Sequence, residues 1–265
     1  MQQIHRMYID GEWTKGSESS EFDDINPYSG KPFARVANAN GTDAKRAVGA
    51  ADAAFPEWAA VPPAEKRLLF LKAAEALEKR QKEISRLLAE ETGTAISFAT
   101  YQAKLAPEYF REAACQVHRI TGKILPSDIA GSFSMAVRRP LGVVSGISPW
   151  NAPLALSLRT TCWPLACGNT VVLKPSAESP ITGGVVLARV LELAGLPRGV
   201  FNLVTSGPGR ARAVGEVLVA DRRVRRISFT GSTETGRRLA ELAGGHLKKT
   251  TFELGGNYPM IVLQD

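Results

Sequence analysis

Apolar residues recur at helical spacing along the first half of the chain. The clearest stripe belongs to a helix predicted over residues 43–55 and is formed by Ala44, Ala47, Val48, Ala51 and Phe55. Thr42 is in position to cap this helix. The Pro62-Pro63 pair predicts the start of a long helix that ends near Thr92-Gly93, and another helix is predicted over 101–119.

Two further stretches of this half have extended character. Residues 7–13 have the pattern of two short strands joined by an Asp10-Gly11 turn, which predicts a hairpin. Residues 122–139 lack helical spacing and are broken at Pro126 and Gly131, so an extended arm is expected there.

From residue 141 short β-branched runs alternate with helical stretches. Strands are predicted at 142–147, 170–173, 200–204, 224–229 and 250–254. Helices are predicted between them at 155–166, 181–194, 211–219 and 233–243. This alternation predicts an α/β fold: a Rossmann-like parallel sheet with helices on both faces, preceded by the N-terminal helices and interrupted by the arm.

Composition narrows the class of protein. Of 265 residues, 44% are hydrophobic and 22% are charged, as in an ordinary globular chain. No apolar run reaches the roughly 18 residues of a transmembrane helix and no secretory leader is indicated, so we expect no membrane partner and a cytoplasmic location. Cys115, Cys162 and Cys167 lack disulfide-framework or zinc-site spacing, so no metal is expected. The net charge of +7 comes without the aromatic-basic interleaving of RNA-binding modules, so no nucleic acid is expected.

Polar residues follow four of the predicted strands, where a parallel sheet binds its ligands. Asn151 offers an amide that could stabilise an oxyanion, or it could cap the next helix. Lys174 would place a cation beside the ligand crevice, or it is an ordinary surface lysine. Gly231 and Ser232 would admit a phosphate at a helix N-terminus, or they form a plain capped turn. Glu253, in an apolar strand, would be either a buried base with a raised pKa or a structural ion-pair partner.

In this order, these features resemble the aldehyde dehydrogenase superfamily. The matching segments are 149–151, 168–176, 194–197, 199–202, 228–232 and 253–256. Each motif alone is weak, but all of them in register are specific, and the resemblance covers essentially the whole chain.

The resemblance implies roles for individual residues. Asn151 matches the amide of the oxyanion hole, and Glu253 matches the base that activates water. Lys174 matches the residue that contacts the adenosine ribose. The complete set that the resemblance implies for cofactor binding is Pro149, Trp150, Lys174, Ser176, Gly231, Ser232 and Leu254.

The family reaction implies an aldehyde substrate, attack by a cysteine, hydride transfer to a nicotinamide and release of the acid by water. The family nucleophile follows the Glu-Leu-Gly-Gly segment at 253–256, beyond the end of this sequence, so the chain is expected to be a fragment without the catalytic cysteine domain. Its expected parts are residues 1–122 (the start of the cofactor-binding domain), 123–140 (an oligomerisation arm) and 141–265 (the Rossmann-like core). The arm implies a homo-oligomer.

Ala177 stands where many NAD-preferring members have a glutamate that holds the ribose hydroxyls, and Glu178 comes one position later. NAD is the expected cofactor, with NADP as the alternative. The segments around 148–153 and 225–231 are most similar to members that oxidise aromatic aldehydes. Two alternatives to a dehydrogenase are a non-catalytic dinucleotide-binding fragment and an inactive remnant that folds poorly.

Overall fold

The computed structural model describes residues 4–264, which form eight α-helices and twelve strands. The helices are α1 (Gly41–Ala60), α2 (Pro63–Lys79), α3 (Gln81–Thr92), α4 (Ile96–Gln116), α5 (Pro153–Ala166), α6 (Val186–Ala194), α7 (Pro208–Ala220) and α8 (Thr233–Gly245). The strands are β1 (Ile4–His5), β2 (Met7–Ile9), β3 (Glu12–Thr14), β4 (Glu21–Ile25), β5 (Pro32–Ala37), β6 (Lys123–Leu125), β7 (Ser134–Ala136), β8 (Val143–Ile147), β9 (Thr170–Lys174), β10 (Phe201–Leu203), β11 (Val224–Thr230) and β12 (Lys249–Glu253). A π-helical turn, Ile181–Val185, leads into α6.

The main sheet has the order β12-β11-β8-β9-β10-β2-β3. Its first five strands are parallel, which confirms the predicted Rossmann-like α/β fold. Along the sequence, the parallel part of this sheet begins in the middle with β8. Strands β9 and β10 are added on one side, and the chain then crosses to form β11 and β12 on the other side. The strand order therefore reverses between β8 and β11, and a sheet of this kind binds ligands outside the strand ends at such a point.

The predicted N-terminal hairpin is confirmed and extends this sheet. Strands β2 and β3 pair antiparallel around Asp10 and Gly11, whose φ angles of 52° and 74° suit a tight hairpin turn. Strand β2 also pairs with β10, so the N-terminal segment and the later core share one sheet. The predicted domain boundaries at residues 122 and 140 stay predictions.

Two apolar cores cover the two faces of the main sheet, because successive side chains of a strand point to opposite faces. Val144, Val171 and Leu173 belong to the core shared with α2, α4, α5 and α6. Val143 and Val172 belong to the core shared with α1, α7 and α8. These layers hold the strand ends rigidly in place.

The boundaries of three N-terminal helices differ from those predicted. Helix α1 is capped by Asn40, not Thr42: the Asn40 side chain accepts hydrogen bonds from the Thr42 and Asp43 backbone amides, and Asp43 accepts one from the Asn40 amide. The long helix predicted from residue 62 is two helices that meet at Arg80, where φ is −110°. Helix α4 starts at Ile96 and not at residue 101.

The predicted extended arm forms a separate antiparallel ribbon of β6 and β7, which pair only with each other among the residues described. Its large apolar side chains are exposed. They include Ile124, Leu125, Ile129, Phe133, Met135 and Val137. A smaller sheet, β1-β5-β4, packs beside the N-terminal helices.

Candidate active site

A cavity of about 470 Å³ lies at the carboxyl ends of β8, β9 and β11, and we call it the strand-end cavity. Its walls are the loops after these strands and the first turns of α7 and α8. The predicted cofactor-binding residues that line it are Pro149, Trp150, Lys174, Ser176, Gly231 and Ser232. The structure therefore gathers six residues that are far apart in sequence around one cavity at the switch point of the sheet.

Lys174 is the last residue of β9 and is buried, with 5% of its surface exposed, so it is not the surface lysine of the alternative interpretation. Its Nζ donates a hydrogen bond to the Pro175 carbonyl at 3.4 Å. Burial lowers the pKa of Lys174 to about 8 from its ordinary value of 10.5. Among residues 4–264 this weak bond is the one that the ammonium makes, so it can also donate to a ligand in the cavity.

Two helices direct their N-termini at the strand-end cavity. Helix α7 begins at Pro208, which has no amide hydrogen, and the Arg210 amide bonds to the Gly207 carbonyl at 3.0 Å, so in the first turn of α7 the Gly209 amide is the one left for a ligand. Helix α8 is capped by Ser232, which accepts a hydrogen bond from the Thr235 amide at 3.3 Å. Gly231 is tightly enclosed, since a Cβ there would lie 2.6 Å from the Phe229 ring. Backbone amides at a helix N-terminus bind phosphate groups.

The loop after β8 carries Pro149, Trp150 and Asn151. The Ser148 amide bonds to the Lys174 carbonyl at 3.1 Å, which joins this loop to the end of β9. Trp150 lines the cavity and stays 53% exposed. Asn151 is exposed, and Ala152 rather than Asn151 occupies the cap position of α5, so the capping interpretation is wrong.

A second cavity, of about 660 Å³, lies beside the first and is called the arginine cavity. Its arginines are Arg138, Arg139, Arg159 and Arg226. Glu253 lines this cavity, and Phe229 and Thr230 line both cavities and so form their shared wall.

Glu253 ends the edge strand β12 and is 55% exposed, so the expectation of a buried glutamate is wrong. Its carboxylate forms an ion pair with Arg159 of α5. Arg159 also donates to the Thr230 hydroxyl at 3.4 Å. The arginine thereby fixes the carboxylate beside the wall that divides the two cavities. The Gly231 amide bonds to the Glu253 carbonyl at 3.1 Å, which couples this strand end to the turn before α8.

Three of the predicted site residues do not line the strand-end cavity: Leu254, Asn151 and Glu253, of which Glu253 lines the arginine cavity. The Leu254 side chain packs over α8, where a Cβ on Gly236 would approach it to 2.3 Å, and Leu254 does not line the cavity. Asn151 lines neither of these two cavities, so it does not share the arginine cavity with Glu253. The paired roles of Asn151 and Glu253 stay predictions.

Several residues of the site were missed from the sequence. Arg159 carries no local signal, because its partner lies on a distant strand. Arg212 and Arg238 line the strand-end cavity from α7 and α8, and each forms an ion pair one helical turn away, with Glu216 at 2.8 Å and Glu234 at 3.7 Å. An i,i+4 pair on a helix is too common to indicate a site.

The cysteines do not provide a nucleophile at the strand-end cavity. Cys162 is buried in α5, and burial raises the pKa of its thiol well above the usual range. Cys167 is exposed and lies at the far end of α5, about 20 Å along the helix from Asn151. Among the residues described, no three His, Cys, Asp or Glu side chains are grouped to hold a metal, and none of the helices is long and apolar enough to span a bilayer.

The model of the aldehyde dehydrogenase family matches residues 13–265. The chain belongs to this family. A vanillin dehydrogenase from Pseudomonas sp. (strain HR199 / DSM 7063) is 47% identical over 259 residues, which are 98% of this chain and 53% of the relative. The chain thus spans about half the length of the curated relatives it matches.

Solved structures of family members have the same fold. A salicylaldehyde dehydrogenase from Pseudomonas putida G7, complexed with salicylaldehyde, matches with a TM-score of 0.94 and 38% identity over 99% of this chain and 54% of its own. An NAD-dependent benzaldehyde dehydrogenase from Corynebacterium glutamicum matches with a TM-score of 0.91 and 40% identity over 98% of this chain and 56% of its own. This aldehyde dehydrogenase chain therefore has the architecture of solved members of its family.

Proposed function

We propose that this chain is the dinucleotide-binding half of an enzyme that oxidises an aromatic aldehyde to its carboxylic acid, with NAD as the hydride acceptor. The observation that carries the proposal is the pair of adjoining cavities divided by Phe229 and Thr230. One has the buried lysine and helix N-termini that suit a dinucleotide. The other has an arginine-held carboxylate that suits the reaction of a carbonyl compound.

The residues of the strand-end cavity fit the cofactor. Lys174 would donate to an adenosine ribose hydroxyl, and the Ser232 amide, in the turn before α8, would donate to the pyrophosphate, whereas the Gly231 amide is held by the Glu253 carbonyl. Pro149 and Trp150 line the path toward the reacting end. When bound, the nicotinamide accepts the hydride that leaves the substrate carbon.

Glu253 acts as the base. Its carboxylate takes a proton from the water that releases the acid, and the pairing with Arg159 holds the oxygen atoms toward the shared wall. Asn151 donates its amide N–H to the oxygen of the reacting carbonyl, where negative charge develops. The nucleophilic thiol of this proposal comes from the sequence that follows the Glu-Leu-Gly-Gly segment in the family.

An aromatic substrate is supported by the walls of the arginine cavity. Trp163, Phe229 and Leu141 line it together with Arg159. A flat ring packs against the apolar walls, and the guanidinium is available to a polar substituent of the substrate. The relatives named for vanillin, salicylaldehyde and benzaldehyde support the same class.

Calorimetric titration of the chain with NAD and NADP tests the cofactor part. We expect NAD to bind, and Lys174→Met to weaken it by about 10- to 100-fold, because a charge-assisted hydrogen bond is lost. Glu253→Gln is the matched control, since Glu253 lines the other cavity. Tighter binding of NADP than NAD would reassign the cofactor, and the absence of binding to either would overturn the proposal.

The alternative of a non-catalytic dinucleotide-binding fragment is favoured by one observation: the cysteines stand away from the strand-end cavity. Absorbance of reduced nicotinamide separates the two. The dehydrogenase is supported if the chain, expressed with its natural downstream sequence, forms NADH from NAD when vanillin or benzaldehyde is added. NAD binding without aldehyde-dependent turnover in that protein supports the fragment. The inactive remnant predicts a broad, aggregating melt in place of a cooperative one.

We also propose that the β6–β7 arm joins subunits. Its apolar side chains have no cover within the described chain, and both outer edges of the ribbon are unpaired. A second copy of the protein would bury them. Light scattering should show that the wild type forms an oligomer. The double substitution Ile124→Ser and Met135→Ser should make this oligomer dissociate more readily, and a wild type that is monomeric at all concentrations would refute this role. The free thiols support a reducing compartment such as the cytoplasm.

A further inference from the structure

A third cavity, of about 620 Å³, lies on the opposite side of the N-terminal region, and we call it the N-terminal cavity. It is enclosed by β1, β3 and β5, the first turns of α3 and the start of α6. None of its lining residues lines the strand-end or arginine cavity, so its occupancy is independent of the function proposed above.

Positive side chains outnumber negative ones in the lining of this cavity. Three guanidinium groups, from Arg6, Arg80 and Arg189, share the lining with a single carboxylate, Glu83. Arg80 donates to Glu83 with two bonds of 2.9 and 2.6 Å, so these two charges neutralise each other. Arg189 forms an ion pair with Glu192 of α6 at 2.8 Å, so among the described residues Arg6 is the one arginine of this lining without an ion pair.

The two remaining arginines keep donors for a ligand. Arg189 lies 4.1 Å over the Trp13 ring and bonds to Glu192 through one nitrogen at 2.8 Å, which fixes its guanidinium and leaves other N–H groups. Arg6 is exposed and has no hydrogen bond or ion pair within residues 4–264. A preordered guanidinium beside a free one is suited to a planar anion, because each can offer two parallel N–H donors.

His5 also lines the N-terminal cavity, and its pKa responds to the positive charge there. Its pKa is lowered from 6.5, first by burial and then by the positive charge of Arg189. Arg6 is the residue next to His5 in the sequence, and Arg80 and Glu83 lie across the cavity on α3. Together with Arg189, they are the four charged side chains that line the cavity with His5. An anion placed between Arg6 and Arg189 would offset their positive charge at the imidazole and raise the pKa of His5 again.

The rest of the wall is apolar. Trp13 and Phe33 supply aromatic faces, and Leu87, Val185 and Val186 supply aliphatic surface. The volume lies in the range of small-molecule sites. An inorganic anion would satisfy the arginines but leave this surface wet.

We propose that the N-terminal cavity binds a small organic carboxylate with a flat apolar body, its carboxylate between Arg6 and Arg189 and its body against Trp13 and Phe33. The ligand class follows from the combination of the unpaired Arg6, the remaining N–H donors of Arg189 and the aromatic walls in one cavity. No covalent step is involved.

Benzoate is the probe, and the imidazole NMR signals of the chain are the readout. The signal of His5 is assigned by its loss in His5→Gln, and His118 and His246 serve as internal references. Saturating benzoate should raise the apparent pKa of His5 and leave those of the references unchanged. Because benzoate bound in the arginine cavity would not move His5, this result is separate from the success or failure of the dehydrogenase proposal.

Arg6→Gln should weaken the benzoate effect on His5 by about 10-fold, since one charge-assisted contact is lost. Arg237→Gln, an exposed arginine of α8 outside this cavity, removes the same charge and should leave the affinity unchanged. The proposal is overturned by an unchanged His5 titration, by equal effects of the two substitutions, or by inorganic phosphate binding as tightly as benzoate. The wild-type titration decides the matter alone if Arg6→Gln fails to fold.

Discussion

The buried lysine at the end of β9 should lower the stability of the chain in the absence of a ligand. We predict that Lys174→Met increases the free energy of unfolding at pH 7. Methionine keeps a long unbranched side chain at this buried position, whereas the ammonium and the cost of burying it are removed.

The magnitude follows from the pKa. Burial lowers it from 10.5 to about 8, and at 1.36 kcal/mol per pKa unit the buried charge costs about 3 kcal/mol. Because the pKa of the folded state is the lower one, this cost is fully present below pH 8. It decreases as the pH rises, since the folded chain loses the proton while the unfolded chain keeps it until about pH 10.5.

Urea unfolding of both proteins at pH 7 and pH 9.5 provides the test. We call the difference in the free energy of unfolding between Lys174→Met and the wild type the stability gap. This gap should be smaller at pH 9.5 than at pH 7 by roughly 2 kcal/mol. The difference between the two gaps is the decisive quantity, because any change in packing contributes equally at both pH values. Lys72→Met replaces an exposed lysine of α2 and should show a gap near zero that does not vary with pH.

Two results would refute the reasoning. A Lys174→Met protein that is no more stable than the wild type at pH 7 would mean that the ammonium is solvated or paired. A gap that stays constant up to pH 9.5 would mean that the proton is not lost in the alkaline range, so the gain arises from packing alone.

Three further predictions rest on other parts of the fold. Gly199→Ala should destabilise the chain by about 1–3 kcal/mol more than Gly195→Ala in chemical unfolding, because both glycines have positive φ but only at Gly199 would a Cβ meet backbone, the Ala50 carbonyl oxygen at 2.7 Å; equal losses would contradict this. Asp24 is buried near the buried Glu91, and burial raises its pKa to about 6, so stability should fall as pH rises from about 4 to 6; Asp24→Asn should reduce this loss, and an unchanged pH profile of stability would contradict it. Asn40→Ala should cost about 1 kcal/mol of unfolding free energy through the lost cap of α1, and a loss under about 0.2 kcal/mol would show that the cap contributes nothing.

The sheet could be predicted from the sequence because its signals are local. Runs such as the one ending at Lys174 are β-branched, short and bounded by turns, and the side of the sheet on which ligands bind follows from parallel topology. The break between α2 and α3 could not be predicted, since Arg80 is neither glycine nor proline and Leu77 and Ile84 keep helical spacing across it.

The candidate site could be predicted only where a residue follows its own strand. Glu253 has apolar neighbours in sequence, which suggested burial, but β12 is an edge strand and leaves it 55% exposed. Edge position depends on which strands pair, and no local pattern encodes that. The Arg159 pairing depends on the approach of α5 to β12 for the same reason.

The cost of burying Lys174 connects the stability of the fold with its proposed ligand. A ribose hydroxyl that accepts a hydrogen bond from the ammonium would stabilise the charged form and raise the pKa of Lys174 toward its ordinary value. Ligand binding would then remove part of the cost, in addition to the stabilisation that any ligand of the folded state provides. With saturating NAD, the stability gap between the wild type and Lys174→Met should therefore change less between pH 7 and pH 9.5 than it does without NAD. An NAD complex in which the gap changes just as much would place the ammonium away from the ribose, even if the cofactor binds in the strand-end cavity.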